Sequence, residues 1–525
     1  MGSGFICGIV MENMGKGQFK PIYGIETEFA STTQHCYEDA GRQTDATLIS
    51  WMYKNLLADG LRNSGATNHF LENGQRWYID MGNLMEGCTA ETRSIEEAVA
   101  ADYGVEQKAE AMFRGAQNAG MLERFVLRNR ALHILRDENG VFLDITSTGR
   151  HQNIGFRTKR VEITNAGLAN FGLIAATRSF LIGAGAILLD DAAVAVGAGD
   201  GTDAVFTLSQ KVPVIYDSYR NDTTNSRGVV NLRNTPYAQP GNIRVHDSSS
   251  EHTPSPWGKR MGLGMAAIGL ALTHYGIEVD AGVDNHDLHG LARRVSFDMS
   301  NPRNFTYGDG IKEAIEIHRK IIAAASFLST RVDLDRELHD TLGMWSQALV
   351  DFEDDPTNLI DRSDAVAKRV VLQQYVAKTG AKWNSLAVEG RDKHWDIADA
   401  KGFARRIQRG RWARWMPSQA AIDRTKRQPP ASSRAQARGR LVTYYRAQGT
   451  FEYASWDRVI SDGHHTLKLE DPRQTHAGPM ERTLVAFARD QRLEASDGEY
   501  QRQQEKAARR RTKNEARSRS RPRRG

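Results

Sequence analysis

Apolar and polar residues alternate one by one at two places in the first hundred residues, and this alternation says most about the chain. In Arg76-Trp77-Tyr78-Ile79-Asp80, an extended strand puts Arg76, Tyr78 and Asp80 on one face and Trp77 and Ile79 on the other. Gly24-Ile25-Glu26-Thr27-Glu28-Phe29 repeats the design, with Glu26 and Glu28 together and Ile25 and Phe29 opposite. Each segment has a side suited to a core and a side that offers carboxylates, a cation or a phenol oxygen. The two strands are expected to form the floor of a metal–phosphate cleft.

Other elements follow from the same kind of reading. Ser94-Ile95-Glu96-Glu97 has the spacing of a capping box and predicts a helix that runs irregularly toward Leu122. Strands are expected over Arg124–Leu135 and Val141–Thr146, around an Asp-Glu-Asn-Gly turn at 137–140, and over Val212–Tyr216 and Gly228–Leu232. Met261–Tyr275 is apolar enough for a buried helix. Gly310–Phe327 and Arg336–Phe352 carry apolar residues at helical spacing, with His318 and Trp345 read as packing residues. An arginine-rich helix is expected over Asp396–Arg414, and Gln428-Pro429-Pro430 breaks the chain. The domain reading is a flexible leader over 1–20, a main domain over 21–427, a small C-terminal domain over 428–495 and a disordered tail over 496–525.

Composition changes this picture in two ways. The chain of 525 residues has a net charge of +6, but Gly498–Gly525 holds 11 Lys or Arg against 3 Glu, a net of +8 that leaves −2 for the remainder. The basicity belongs to a tail too polar to bury a core, suited to nonspecific contact with nucleic acid or acidic surfaces. Three cysteines, Cys7, Cys36 and Cys88, without CxxC spacing, argue against a disulfide framework or zinc site and fit a reducing cytoplasm. Phe5–Met11 is too short for a signal peptide, and Arg178, Asp190 and Asp191 interrupt the apolar region Ala166–Ala198, so no membrane span is expected. There is no GxxxxGK[ST] loop, no HExxH and no GxSxG; Gly197–Gly201 reads as an ordinary loop and His464-His465 as a surface turn.

The sequence around the two alternating strands resembles the Pup ligase/Pup deamidase family, relatives of glutamine synthetase. Gly24–Phe29 is similar to its opening motif, and Asn73–Asp80 to its NGxRxYxD strand, with Glu86 and Thr89 at the family's spacing beyond the aspartate. His151-Gln152-Asn153 stands where the family has His-Glu-Asn, Asn231–Tyr237 resembles NTRDEPH, and Val245–Glu251 roughly follows VGDxNxxE. Gly402–Arg414, Pro429-Pro430, Arg434–Arg440 and Ala454–Asp457 resemble later motifs, so the likeness runs in patches from about Ile22 to Gly478.

The resemblance implies an α+β fold: a glutamine-synthetase-like curved, mostly antiparallel sheet backed by helices, with a small α/β C-terminal domain. It implies ATP and Mg²⁺ as cofactors, with Glu26, Tyr78 and Glu86 on the metal. Arg76, Thr89, Arg233 and Trp456 would lie by the nucleotide, and Asp80 would be the catalytic carboxylate. The partners implied are Pup, a small disordered ubiquitin-like protein, and lysine-bearing substrates. Departures from the motifs are Gln152 for glutamate, Asn234 for aspartate, Tyr237 for histidine, and Met81–Met85 without the family's His-Pro. Glu26 and Asp80 lie only 54 positions apart, a ligase-like interval without the deamidase insertion, whereas Ser455–Asp462 looks closer to a deamidase. Ligase, deamidase and a catalytically degenerate binding homologue stay open at this point, with the ligase favoured. Deleting Gly498–Gly525 is expected to leave catalysis on a small acceptor intact; a truncated chain that folds but does not turn over would overturn this.

Overall fold

The computed structural model describes residues 18–35, 46–57, 68–159, 161–222, 227–399, 401–461 and 465–490. The expected leader up to residue 17, the expected disordered tail, Cys7, Cys36 and His464 lie outside the described residues.

The alternating segments do become strands. β1 (Ile22–His35) is long enough to serve three neighbours. β2 (Asn68–Phe70), β3 (Arg76–Asp80) and β4 (Leu84–Cys88) pair on one side of it. β5 (Leu122–Arg128) pairs with its second half, from Ala30 to His35. β6 (Leu132–Arg136) and β7 (Phe142–Ser147) form a separate hairpin, and β8 (Arg150–Arg157) returns to the first half of β1. Two short pairs follow, β9 (Ala186–Leu188) with β10 (Val205–Thr207) and β11 (Asp217–Arg220) with β12 (Gly228–Asn231). β13 (Asn242–Asp247) completes a seven-stranded sheet, six strands in the order β13–β8–β1–β4–β3–β2 with β5 branching from β1, all pairs antiparallel. β14 (Phe451–Ala454), β15 (Arg458–Ser461) and β16 (His465–Lys468) make a small antiparallel sheet against the Arg434–Ala447 helix. The class is the expected α+β, with an antiparallel sheet backed by helices.

The apolar faces go where alternation sends them. Ile25 enters a core built with Ile154, Phe171 and Met261, while Phe29 and Trp77 stack in a second with Val105 and Phe113. The Ile95–Asn118 helix closes this side. Ser94 Oγ accepts from the Glu97 amide at 3.1 Å, half of the expected capping box. The other half is replaced: Glu97 turns to Thr92, and Glu337 from the Arg336–Asp354 helix accepts from the amides of Ile95 and Glu96. The Pro256–His274 helix is buried as expected, and His318 is enclosed between Thr177 and Trp345.

Three expectations need correction. The strand over Arg124–Leu135 is split between two sheets, because buried Arg130 pulls the chain inward to reach Asp396 at 2.6 Å and Asp392 at 2.7 Å. Val212–Tyr216 is not a strand: Val212–Val214 is a 3₁₀ turn around Pro213, which has no N–H for a ladder. Among the described residues of Asp396–Arg414, only Phe403–Gln408 is α-helical, and a 3₁₀ turn begins at Ala413. Asp396 is tied to Arg130 and Lys368, and Gly402 sits so close to the Ile397 carbonyl that a Cβ there would lie 2.0 Å from its oxygen.

Behind β1 lies a closed ionic network. Thr27, between Glu26 and Glu28 but facing the other way, donates to Asp102 at 2.9 Å. Arg150 Nε on β8 binds the other oxygen of Asp102 at 3.0 Å. Lys259 bridges Asp102 and Glu106, and Arg405 closes on Glu106. Burial opposes the charge on Asp102, but Arg150 and Lys259 outweigh it and hold the carboxyl far below its usual range. Removing one member of such a set leaves a buried charge uncompensated. Asp102→Ala is therefore expected to cost about 3–5 kcal/mol, read as a lowered urea midpoint; a loss within 1 kcal/mol would show that the network does not hold the sheet.

Candidate active site

The polar faces of three neighbouring strands meet in cross-strand rows. Glu28 on β1, Glu86 on β4 and Tyr78 on β3 stand opposite one another, and Glu26, Cys88 and Arg76 form the next row. The floor is therefore not made by the two alternating strands alone. β4 runs between them and carries Glu86 into the middle, a position set by the turn at 81–83, where Gly82 and Asn83 both take positive φ.

Carboxylates and imidazoles on this face gather in two groups. Glu28, Asp80 and Glu86 bring ligand atoms within 4.8 Å of one another, as do Glu26, His151 and His246. The expected magnesium set of Glu26, Tyr78 and Glu86 thus straddles two clusters. Tyr78 hydrogen-bonds the Glu86 carboxylate, and Glu28 Oε2 accepts from the Gly149 amide at 2.6 Å. Burial, then Glu26, Glu28 and Asp80, push the Glu86 carboxyl well above its ordinary value. Burial and Glu28 raise Asp80, which faces the cleft half-exposed. Burial alone would raise Glu26 as well, but His151 and Arg244 beside it keep it ionised. Burial lowers His246 to about 3, so its ring is neutral.

Beside these rows is a half-open pocket whose lining includes Ile22, Gly24, Phe156, Tyr237 and Trp456. Thr89 lines it but is buried and has a structural bond, accepting from the Ile25 amide at 2.9 Å. Trp456 sits edge-on to Phe70, with Arg438 over its ring. Glu26, Tyr237, Arg244 and Trp456 line both this cavity and the broad cleft over the acidic rows. Arg76 lies in the cleft, its guanidinium 3.9 Å from the Tyr78 ring centroid and bonded to Asn68; Arg233 is exposed at the cleft edge.

The sequence profile of the family described as Pup-ligase protein matches residues 21–460. The chain belongs to this family. It is similar to the Pup–protein ligase of Micrococcus luteus, 25% identical over 488 residues, covering 89% of this chain and 98% of the relative. The Pup–protein ligase of Bifidobacterium dentium is 27% identical over 480 residues, covering 86% and 91%. The fold matches the crystal structure of the complex between the prokaryotic ubiquitin-like protein Pup and its ligase PafA, with a TM-score of 0.70 at 18% identity over 91% of this chain and 95% of that one. A PafA structure in complex with ADP matches with a TM-score of 0.66 at 18% identity over 86% and 97%.

Against the family motifs, the departures do not all fall in the cleft. Gln152 points to the opposite face of β8, against Gly262 of the Pro256–His274 helix, so its missing charge is not lost from the cleft. Tyr237 does line the cleft, at positive φ, as do Met81–Leu84. Asn234 is exposed, 3.5 Å from the Arg244 amide. The sequence reading passed over Glu28, His151, His246 and Arg244 as site residues. Alternation alone places Glu28 beside Glu26, but the other three depend on the pairing of β8 and β13.

A raised Glu86 carboxyl has a thermodynamic consequence. Above the ordinary carboxyl range the metal-free folded state keeps a proton that the unfolded chain has lost, so this group's contribution to stability falls as pH rises. A divalent cation removes the need for that proton. Melting temperatures in EDTA between about pH 5 and 8 are expected to decline more steeply than with Mg²⁺, and Glu86→Gln should remove the difference; equal slopes in all three cases would contradict it.

Proposed function

We propose that the chain is an ATP-dependent ligase that joins the side-chain carboxylate of Pup's C-terminal glutamate to lysines of substrate proteins. The observation that carries this reading is the union of a pocket beside Trp456 with the acidic rows, the two sharing Glu26, Tyr237, Arg244 and Trp456 as walls. The base packs by Trp456 and Tyr237, with Thr89 at the cavity wall and the phosphates directed to Arg76 and Arg233. The residues fit Mg²⁺, since Glu86, Glu28 and Tyr78 present hard oxygen donors in one row and Glu26 closes the side toward the cavity. Magnesium supplies charge neutralisation for phosphate oxygens.

A carboxylate is a poor electrophile, so the γ-phosphoryl group of ATP passes first to the glutamate, giving a mixed anhydride and ADP. The lysine nitrogen then attacks the acyl carbon, the C–O bond to phosphate breaks, and an isopeptide bond and phosphate result. Asp80, at the cleft end of β3, accepts the proton that the attacking amine sheds. Arg76 stabilises charge spreading over the transferred group. The buried thiol of Cys88 and the absence, among the described residues, of a helix able to cross a membrane are compatible with work in a reducing cytoplasm. Products marked in this way would be destined for a proteasome.

The full chain with ATP, Pup ending in Glu and a lysine-bearing protein is expected to yield a conjugate and equimolar ADP. Asp80→Asn should slow conjugation by about 100-fold or more while nucleotide binding persists. Loss of ammonia from Pup ending in Gln, with little net ATP use, would instead assign a deamidase. Neither reaction, with binding of Pup retained, would leave a degenerate homologue.

A further inference from the structure

Positive charge is segregated in this chain, and much of it lies away from the cleft. Residues 401–427 hold nine Lys or Arg against the single Asp423, a net of +8 that equals the +8 of residues 498–525 and leaves −10 for everything else. Part of the first set is satisfied internally. Arg405 turns inward to Glu106, Arg414 pairs with Asp361, and Lys426 reaches Asp423 at 2.6 Å. Arg406, Arg411, Arg424 and Arg427 are exposed, and among the described residues none of them is in an ion pair. Cations in the last turn of a helix complement its dipole, which accounts in part for Arg406, Arg424 and Arg427 but not for Arg411, which lies in a turn. None of the four lines the cleft or the pocket beside Trp456.

The two basic helices are held on one support, the Ile95–Asn118 helix. Phe403–Gln408 docks through Arg405 on Glu106, and Gln419–Arg427 through Thr425 on the Ala100 carbonyl and Lys426 on Gln107 Oε1 at 2.8 Å. The basic surface continues past Lys426. Burial lowers the Lys108 amine to about 8; Glu72 opposes this, and Arg446 and Lys426 add to it, so three cations share one neighbourhood. Arg446 belongs to the Arg434–Ala447 helix, whose Tyr444 ring stands edge-on to Phe487 at 5.4 Å. From there the sequence leads into the basic tail.

We propose that the surface carrying Arg406, Arg411, Arg424 and Arg427 binds the phosphate backbone of duplex DNA without regard to sequence. Seven of the nine cations in residues 401–427 are Arg, whose planar fork grips phosphate oxygens in pairs. The described residues 401–427 present no exposed large apolar side chain, whereas a protein partner is held by apolar anchors at a buried centre. They likewise present no exposed aromatic ring on which the bases of a single strand could stack. Cations fixed on packed helices match a duplex, whose phosphates recur at a fixed spacing. The tail, with nine Arg and two Lys in residues 498–525, supplies a second set of cations for the same polyanion. This goes beyond the ligase reading and does not depend on it.

The test is fluorescence anisotropy of a labelled DNA duplex of about 20 base pairs, titrated with the full chain between about 50 and 200 mM salt. The logarithm of the affinity is expected to fall linearly with the logarithm of the salt concentration. The full chain carrying Arg406→Gln, Arg411→Gln, Arg424→Gln and Arg427→Gln together, with its tail intact, should give a slope shallower by about 3–4 units and bind about 10-fold or more weakly at the upper salt concentration. Melting temperatures record that it folds. Arg411→Gln with Arg424→Gln alone should show about half of the change in slope, which decides the matter if the fourfold variant does not fold. Absence of salt-dependent binding by the wild type, or an unchanged slope in a folded variant, would overturn the proposal. Tighter binding to polyglutamate or to single-stranded RNA of matching length would also overturn it, in favour of an acidic polypeptide or an unpaired strand.

Discussion

The cleft depends on how β1 is held from behind. Glu26 and Glu28 repel each other and their neighbours across the sheet, and a strand carrying them would not stay in place on hydrophobic contact from Ile25 and Phe29 alone. Thr27 gives it a polar anchor. Through Asp102, that one hydroxyl links β1 to Arg150 of β8, to Lys259 of the Pro256–His274 helix and, through Glu106, to Arg405. Three cations against two carboxylates make a buried set in which each member is costly to remove. The network fixes which way the strand faces, and so which carboxylates reach the cleft.

On the other side of the same strand the balance is reversed. Glu28, Asp80 and Glu86 crowd together, and burial, then the neighbouring carboxylates, push the Glu86 carboxyl well above its ordinary value. The fold keeps this arrangement by spending stability that its cores supply, a common condition of a site built to receive a cation. The opposing face and the cleft face of β1 are therefore a matched pair: ionic order behind, and an excess of negative charge in front that only a bound cation relieves.

Much of this was legible along the chain. Period-two alternation located Glu26, Glu28, Arg76, Tyr78 and Asp80 on one face, and the apolar partners Ile25, Phe29 and Trp77 are buried as that pattern requires. The long helices at 310–327 and 336–352 were equally plain, because an apolar stripe survives any tertiary context that buries it. The failures have a common cause. Arg130, Pro213 and Asp396 each break an otherwise regular pattern to satisfy a buried charge or to accommodate a missing N–H, and no local window contains the partner. Gln152 shows the same limit from another side: its place in a motif next to His151 suggests a cleft residue, but neighbours in a strand face opposite ways.

By itself the sequence determined the local faces: which residues of each strand turn toward a core, where the helices begin, and that the acidic residues of two segments point away from apolar ones. These follow from the geometry of a single element. Tertiary structure alone decided that β4 inserts between β1 and β3, that His151 and His246 come up beside Glu26, and that a half-open pocket adjoins the acidic rows at Trp456. Strand order and register are contacts between residues far apart in the chain, chosen by the summed burial of both cores and the satisfaction of buried charges, and no spacing within one segment encodes them.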